Sequence, residues 1–255
     1  MRVMISAVVL TKNEEENIEA CLKSLEWCDE IIVIDDYSED ETLKNVQMFK
    51  CSNVQKELKV FQRHLNNDFA GQRNFGLKKA KGDWVLFVDA DERISESLAS
   101  EIKLRVTGYG LKVNGFYFQR KDFFLGQQLR HGETPAIKLL RLGRKNSGLW
   151  EGKVHEIWKV QGEIGQLKNP ILHYHSDLKK FLQGLNHFST LTAQEFYEQG
   201  KRVTFQEWLK PPAKFIQNYF FRLGFLDGTA GFVQAILMSF HSFLVRAKLF
   251  MLWKN

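Results

Sequence analysis

The chain has 255 residues, 44% hydrophobic and 26% charged, which is enough for one large domain, or one domain with an appendage, and excludes disorder, a collagen-like repeat or a knottin. Phe occurs 21 times and Pro four times, so apolar surface is plentiful and Pro-rich linkers are absent. The formal net charge of +6 is carried by residues 201–255, where eight basic side chains stand against two acidic ones; the first 200 residues balance, which argues against a nucleic-acid-binding surface and for a C-terminal region with its own partner.

Cys21, Cys28 and Cys51 lack CxxC spacing and follow no signal-like apolar segment, the pattern of a reducing, cytoplasmic setting. In chain order, Met4–Leu10 reads as a buried strand, and Asn13 as the cap of a helix through Leu25 with Glu14–Glu16 at its positive end. Glu30–Asp35 repeats the strand signal, Thr42–Phe49 is a short helix and Lys59–Arg63 a third strand. Phe69–Ala80 is a helix closed by Lys81-Gly82, and Trp84–Val88 a fourth strand. The order β-α-β-α-β-α-β predicts a parallel sheet covered on both faces. Ser95 caps a helix to about Val106. Gly115–Lys121 and Lys153–Val160 alternate, and Ala136–Leu142 is apolar with basic residues inserted, so residues 115–175 read as mixed or antiparallel strands. From Leu178 the periodicity is helical, broken at Gly200, Pro211-Pro212 and Gly224–Gly231.

Ligands of a parallel α/β sheet bind beyond the carboxyl ends of its strands. Here those ends run into Thr11-Lys12-Asn13-Glu14, Asp35-Asp36, Arg63-His64 and Asp89-Ala90-Asp91-Glu92. Asp89 and Asp91 follow an apolar strand, where desolvated carboxylates are costly without a compensating cation. Alternate residues of an extended segment point the same way, so both can face one Mg2+ or Mn2+ that holds a diphosphate. No GxGxxG follows a strand, and GxxxxGK[ST], GxSxG and HExxH are absent, which disfavours dinucleotide, P-loop, α/β-hydrolase and zincin chemistry. His173 and His175 alternate but lack further zinc partners at suitable spacing, and read as structural or loop residues.

The order TKNE (11–14), IDDYSEDET (34–42), QRNFG (72–76) and GDWVLFVDADE (82–92) resembles the family 2 glycosyltransferases with a GT-A fold. FLGQQLRHG (124–132), EGKVHE (151–156), LHYH (172–175) and GFLDG (224–228) are similar to the lipopolysaccharide-core branch of the WaaE/KdtX type. The resemblance implies an α/β fold, Rossmann-like with a mainly parallel sheet over 1–110, a mixed-strand acceptor half over 111–177, and a basic amphipathic helical region over 178–255. It implies that Thr11, Asn13, Glu14 and Asp35 line the nucleotide base and ribose, that Gln72, Arg73 and Asn74 approach the nucleotide, and that Asp89, Ala90 and Asp91 meet the metal-diphosphate. Asp36-Tyr37 stands where the family has Ser-Gly.

The implied reaction is inverting transfer from a nucleotide-sugar, UDP-linked, to a glycan or lipid-linked acceptor in cell-envelope synthesis. A metal on Asp91, helped by Arg73, offsets leaving-group charge. Glu156 is the first choice of base and Glu133 the second, with His155 a candidate metal ligand or substrate contact. A nucleotidyltransferase and a non-catalytic nucleotide-binding module are the alternatives. A glycoside hydrolase fits less well, because its two carboxylates must flank the scissile bond about 5–10 Å apart. Residues 228–245 carry no charge but several polar groups, so they suit an interfacial helix better than a spanning one. The expected partner is an anionic membrane surface on the inner face of the cytoplasmic membrane, with packing on the catalytic domain or a homo-oligomer through these helices as the competing role.

Overall fold

Apolar side chains at Ile5 and from Ala7 to Leu10 leave the first strand no face for water, so it is stable only inside a sheet. The computed structural model, which describes residues 2–49, 57–108, 112–152, 156–175 and 178–254, places it there. β1 (Ile5–Thr11) lies between β2 (Glu30–Asp35) and β4 (Trp84–Asp89), with β3 (Glu57–Gln62) beyond β2, and all four are parallel. The connecting helices are α1 (Ile18–Ser24), α2 (Thr42–Met48) and α3 (Phe69–Lys79). Successive strand residues feed opposite cores: Ala7, Val9, Ile31, Val33, Leu86 and Val88 on one face, Val8, Ile32, Ile34, Val85 and Phe87 on the other. Ser6, buried within β1, donates its hydroxyl to Glu30 (2.6 Å) and accepts from the Gly82 N–H (2.8 Å).

The chain divides into two units. The first, Met1–Arg120 with Lys138–His173, holds the parallel strands and the switch to mixed pairing. After β4 come the short β5 (Glu92–Arg93) and α4 (Glu96–Thr107), whose Ser95 cap accepts from the Leu98 N–H at 3.2 Å, as expected. The chain crosses to the second unit within β6 (Val113–Phe124), makes β7 (Gln127–Gln128) there, and returns as β8 (Lys138–Arg144), antiparallel to both β4 and β6. β9 (Gly148–Glu151) and β10 (Ile157–Val160) form a separate hairpin, and β11 (Glu163–Gln166) runs parallel to β6. In β12 (Ile171–Tyr174), Leu172 and His173 pair with Arg93 and Glu92.

The second unit, Lys121–Ile137 with Tyr174–Asn255, contains α5 (Leu178–Glu198), α6 (Lys210–Ile216), a π-helical turn at Gln217–Phe221 and α7 (Gly228–Lys254). Phe124 and Leu129 pack there with Leu185, Ala230 and Leu237, so residues 121–137 belong with the C-terminal helices rather than with the mixed strands.

Three local expectations are corrected. Asn13 does not cap a helix: it sits at φ +53°, its N–H donates to Ser38 Oγ, its Oδ1 accepts from the Glu39 N–H, and α1 begins only at Ile18. Pro211-Pro212 opens α6 instead of interrupting it, because a missing N–H costs nothing in the first helical turn. Gly231 lies inside α7, where the Gly224 carbonyl comes so close that an added Cβ would stand 1.9 Å from its oxygen.

Candidate active site at the end of the fourth strand

Helix α3 buries Gln72, Arg73, Gly76 and Leu77, a stripe at helical spacing that turns Arg73 toward the sheet. The approach is close: a Cβ on Gly76 would stand 2.4 Å from Val8 Cγ1. Arg73, only 3% exposed, donates from Nη2 to Asp89 Oδ1 (3.0 Å) and from Nε to Glu156 Oε1 (2.7 Å). One guanidinium thus joins the end of β4 to the start of β10. Arg141 of β8 donates from Nη2 to Asp89 Oδ2 at 2.7 Å. Both cations lie near the Trp150 ring, with Arg73 4.9 Å and Arg141 5.9 Å from its centroid.

Burial opposes ionisation of Asp89, but Arg141 and Arg73 outweigh it and hold the carboxyl well below the usual carboxylate range. Glu92, which accepts from the Asp89 N–H at 2.9 Å, is pushed up by burial. Arg73 Nη1 and Arg141 Nε and Nη1 are buried without a hydrogen-bond partner among the described residues. Unpaired buried donors cost about 1–3 kcal/mol each, a penalty that ligand oxygens would remove.

Asp89 and Asp91 do not share an extended segment, since the chain turns at Ala90-Asp91 before β5. Their partners differ accordingly: Asp89 holds the two guanidinium groups, whereas Asp91 Oδ2 lies 3.1 Å from His173 Nε2. Carboxylate and imidazole together form a donor set suited to a divalent cation such as Mn2+, and Asp91–His173 fits one better than Asp89, whose charge is already matched. His155 lies outside the described residues.

At the other strand ends, Asp35 accepts from Ser38 Oγ (2.5 Å), the Ser38 N–H (3.0 Å) and Gln62 Nε2 (3.1 Å). Thr11 Oγ1 is buried with no partner among the described residues, and Glu14 accepts from Asn17 Nδ2. Tyr37, at φ +50°, stacks on His64 with centroids 4.0 Å apart. Of the QRN triplet only Arg73 meets the acidic end. Gln72 exchanges hydrogen bonds with Arg63, and Asn74 spends its amide on both backbone groups of Trp150, fixing β9. Glu133 lies in the second unit, paired with Lys214 and, at 3.8 Å, with Arg222.

Sequence reasoning missed Arg141, and it named Glu92 at the strand end and His173 in an alternating pair without giving either a role in the site. For Arg141 a signal existed, a basic residue flanked on both sides by leucines in the apolar 136–142 run. For His173 the alternation with His175 was visible, but its approach to Asp91 depends on the pairing of β12 with β5.

Residues 6–145 match the model of glycosyl transferase family 2. A lipopolysaccharide core biosynthesis glycosyltransferase, LpsC of Rhizobium meliloti (strain 1021), is 29% identical over 254 residues, which cover 98% of this chain and 93% of that protein. The mannosyltransferase PcManGT from Pyrobaculum calidifontis, solved with GDP-Man and Mn2+, aligns over 100% of this chain and 88% of its own at 14% identity with a TM-score of 0.56. S. aureus TarS 1–349, solved with UDP-GlcNAc, aligns over 97% and 88% at 18% identity with a TM-score of 0.50. The two structures carry the same GT-A fold.

Proposed function

The chain belongs to glycosyl transferase family 2, and from that premise we propose that its first unit transfers a sugar from a nucleotide-diphosphate donor, with Glu156 as base. The bridge of Arg73 between Asp89 and Glu156 carries the reading: it joins the strand end where a diphosphate belongs to the carboxylate best suited to an acceptor hydroxyl. Glu156 Oε1 is engaged by Arg73, while Oε2 takes no hydrogen bond among the described residues and serves as the proton-accepting oxygen. The acceptor oxygen bonds to the anomeric carbon as the bond to the diphosphate oxygen breaks, in one displacement that inverts the centre. The unpaired N–H groups of Arg73 and Arg141 take the charge that builds on the departing diphosphate.

Asp91 and His173 would hold Mg2+ or Mn2+, which when bound supplies further charge neutralisation at the diphosphate. Thr11, Asn13, Glu14 and Asp35 serve the nucleoside end, where a UDP-linked sugar is the first donor to test. Glu133, which belongs to the second unit and pairs with Lys214 rather than with Arg73, is the weaker candidate for base. The acceptor is a saccharide or lipid-linked saccharide of the cell envelope, in keeping with LpsC, reached from the cytoplasmic side of an anionic membrane by the basic C-terminal region.

Thermal shift against a panel of nucleotide-sugars with Mg2+ or Mn2+, followed by product analysis, tests this directly. A raised melting point and release of the nucleoside diphosphate are expected. Release of pyrophosphate from a nucleoside triphosphate would overturn it.

A further inference from the structure

One stripe of α7, Phe232, Ile236, Phe240, Phe243 and Phe250, remains 42–47% exposed along the helix, while its other side packs on α5. A groove of about 640 Å³ between Pro211, Phe215 and Ile216 of α6 and this stripe continues the apolar face. The π-helical turn ends in Phe220 and Phe221, the latter 81% exposed, with Leu226 following at 57%.

Cations flank this face at both ends. Near the turn, Asp227 accepts from the backbone N–H groups of Arg130 (2.9 Å) and His131 (2.8 Å), the Gly132 N–H bonds to the Arg222 carbonyl, and Glu133 pairs with Lys214 and, at 3.8 Å, with Arg222, so the exposed Arg130 and these two paired cations lie on segments tied to the turn. At the far end, Trp253 donates its indole N–H to the Lys201 carbonyl at 2.7 Å, and Arg202 lies 4.6 Å from its ring. Asn218, which accepts from Arg222 through Oδ1, keeps a buried Nδ2 with no partner among the described residues.

By length and composition residues 224–254 could span a bilayer. An exposed stripe on one side, a packed opposite side and Arg246 and Lys248 within the helix describe instead a helix lying in the plane of the interface. We propose that this face of the second unit docks in-plane on an anionic phospholipid bilayer. Phe220, Phe221 and the α7 stripe enter the acyl boundary, the exposed Arg130 takes a lipid phosphate, and Lys214 and Arg222 share their charge between Glu133 and neighbouring headgroups. Charge complementarity selects this occupant over a second copy, because a cationic rim of this kind would meet its own image. The inference deepens the membrane-facing reading above and rests on it for the side of the membrane, though not for binding itself.

The test is flotation of the full-length protein with phosphatidylglycerol vesicles and with phosphatidylcholine vesicles, followed by an alkaline carbonate wash. Binding to the anionic vesicles alone, released by carbonate, is expected. Phe221→Ser with Phe240→Ser should cut the bound fraction about tenfold, and Lys214→Gln with Arg222→Gln by a similar factor. Inorganic phosphate at millimolar concentration should not compete; full displacement by it would reassign the site to free phosphate. Unchanged flotation of either double variant, retention after carbonate, or a wild-type dimer that the Phe variants dissociate would overturn the proposal. Nucleoside-diphosphate release, measured on the Phe variants in detergent, should match the wild type, so loss of turnover and loss of docking are read separately.

Discussion

Glu156→Gln keeps an oxygen for Arg73 Nε and removes only the basicity. It should lower kcat about 100- to 10,000-fold with donor KM unchanged, measured as nucleoside-diphosphate release; a KM effect alone would argue against the base assignment. Asp91→Asn should abolish the Mn2+-dependent rise in melting point while leaving the metal-free value intact. Asp89 acts on stability. Its carboxyl ionises below the usual range, so its contribution is full above about pH 4 and is lost as pH falls through the lowered value. Asp89→Asn should therefore cost about 2 kcal/mol at pH 7, less than a fully buried pair because a third of the side chain meets solvent, and the gap to wild type should narrow below pH 4. Denaturant midpoints across that range check it, and a pH-independent gap would refute it. At this scale the acidic pair, Arg73 and Glu156 were legible as residue types. The division of labour between Asp89 and Asp91 was not, because it is set by a turn at Ala90 and by cations from α3 and β8.

The elements themselves were readable wherever burial dictates the pattern. β1, β2 and β4 are apolar on both faces and fall within a residue of expectation. Boundaries failed where side chains bind distant backbone: Asn13, a good cap by composition, is claimed by the loop after β2. The docking of α3 on β1 has no room to spare, so Gly76→Ala should destabilise by about 1–3 kcal/mol and lower the melting temperature, whereas Gly184→Ala on α5, with nothing within 4 Å, should leave it unchanged or raised. Comparable melting shifts for both would show that the contact with Val8 gives way freely.

For the whole molecule, the α/β to mixed-strand order and the basic C-terminus were apparent from periodicity and charge, but the membership of residues 121–137 was not. No local pattern announces that Asp227 will hold Arg130 and His131 from almost a hundred positions away. Truncation after residue 200 should accordingly expose Phe124 and Leu129 and yield aggregating protein, seen by light scattering, rather than an isolated first unit. The same interleaving bears on biosynthesis. A ribosome adding about 5–20 residues per second needs about 5–20 s to pass from Leu129 to Asp227. Once residues 121–137 have left the exit tunnel, Phe124 and Leu129 stay uncovered until the C-terminal helices follow, which makes the segment a natural client for a holdase until translation delivers its mate.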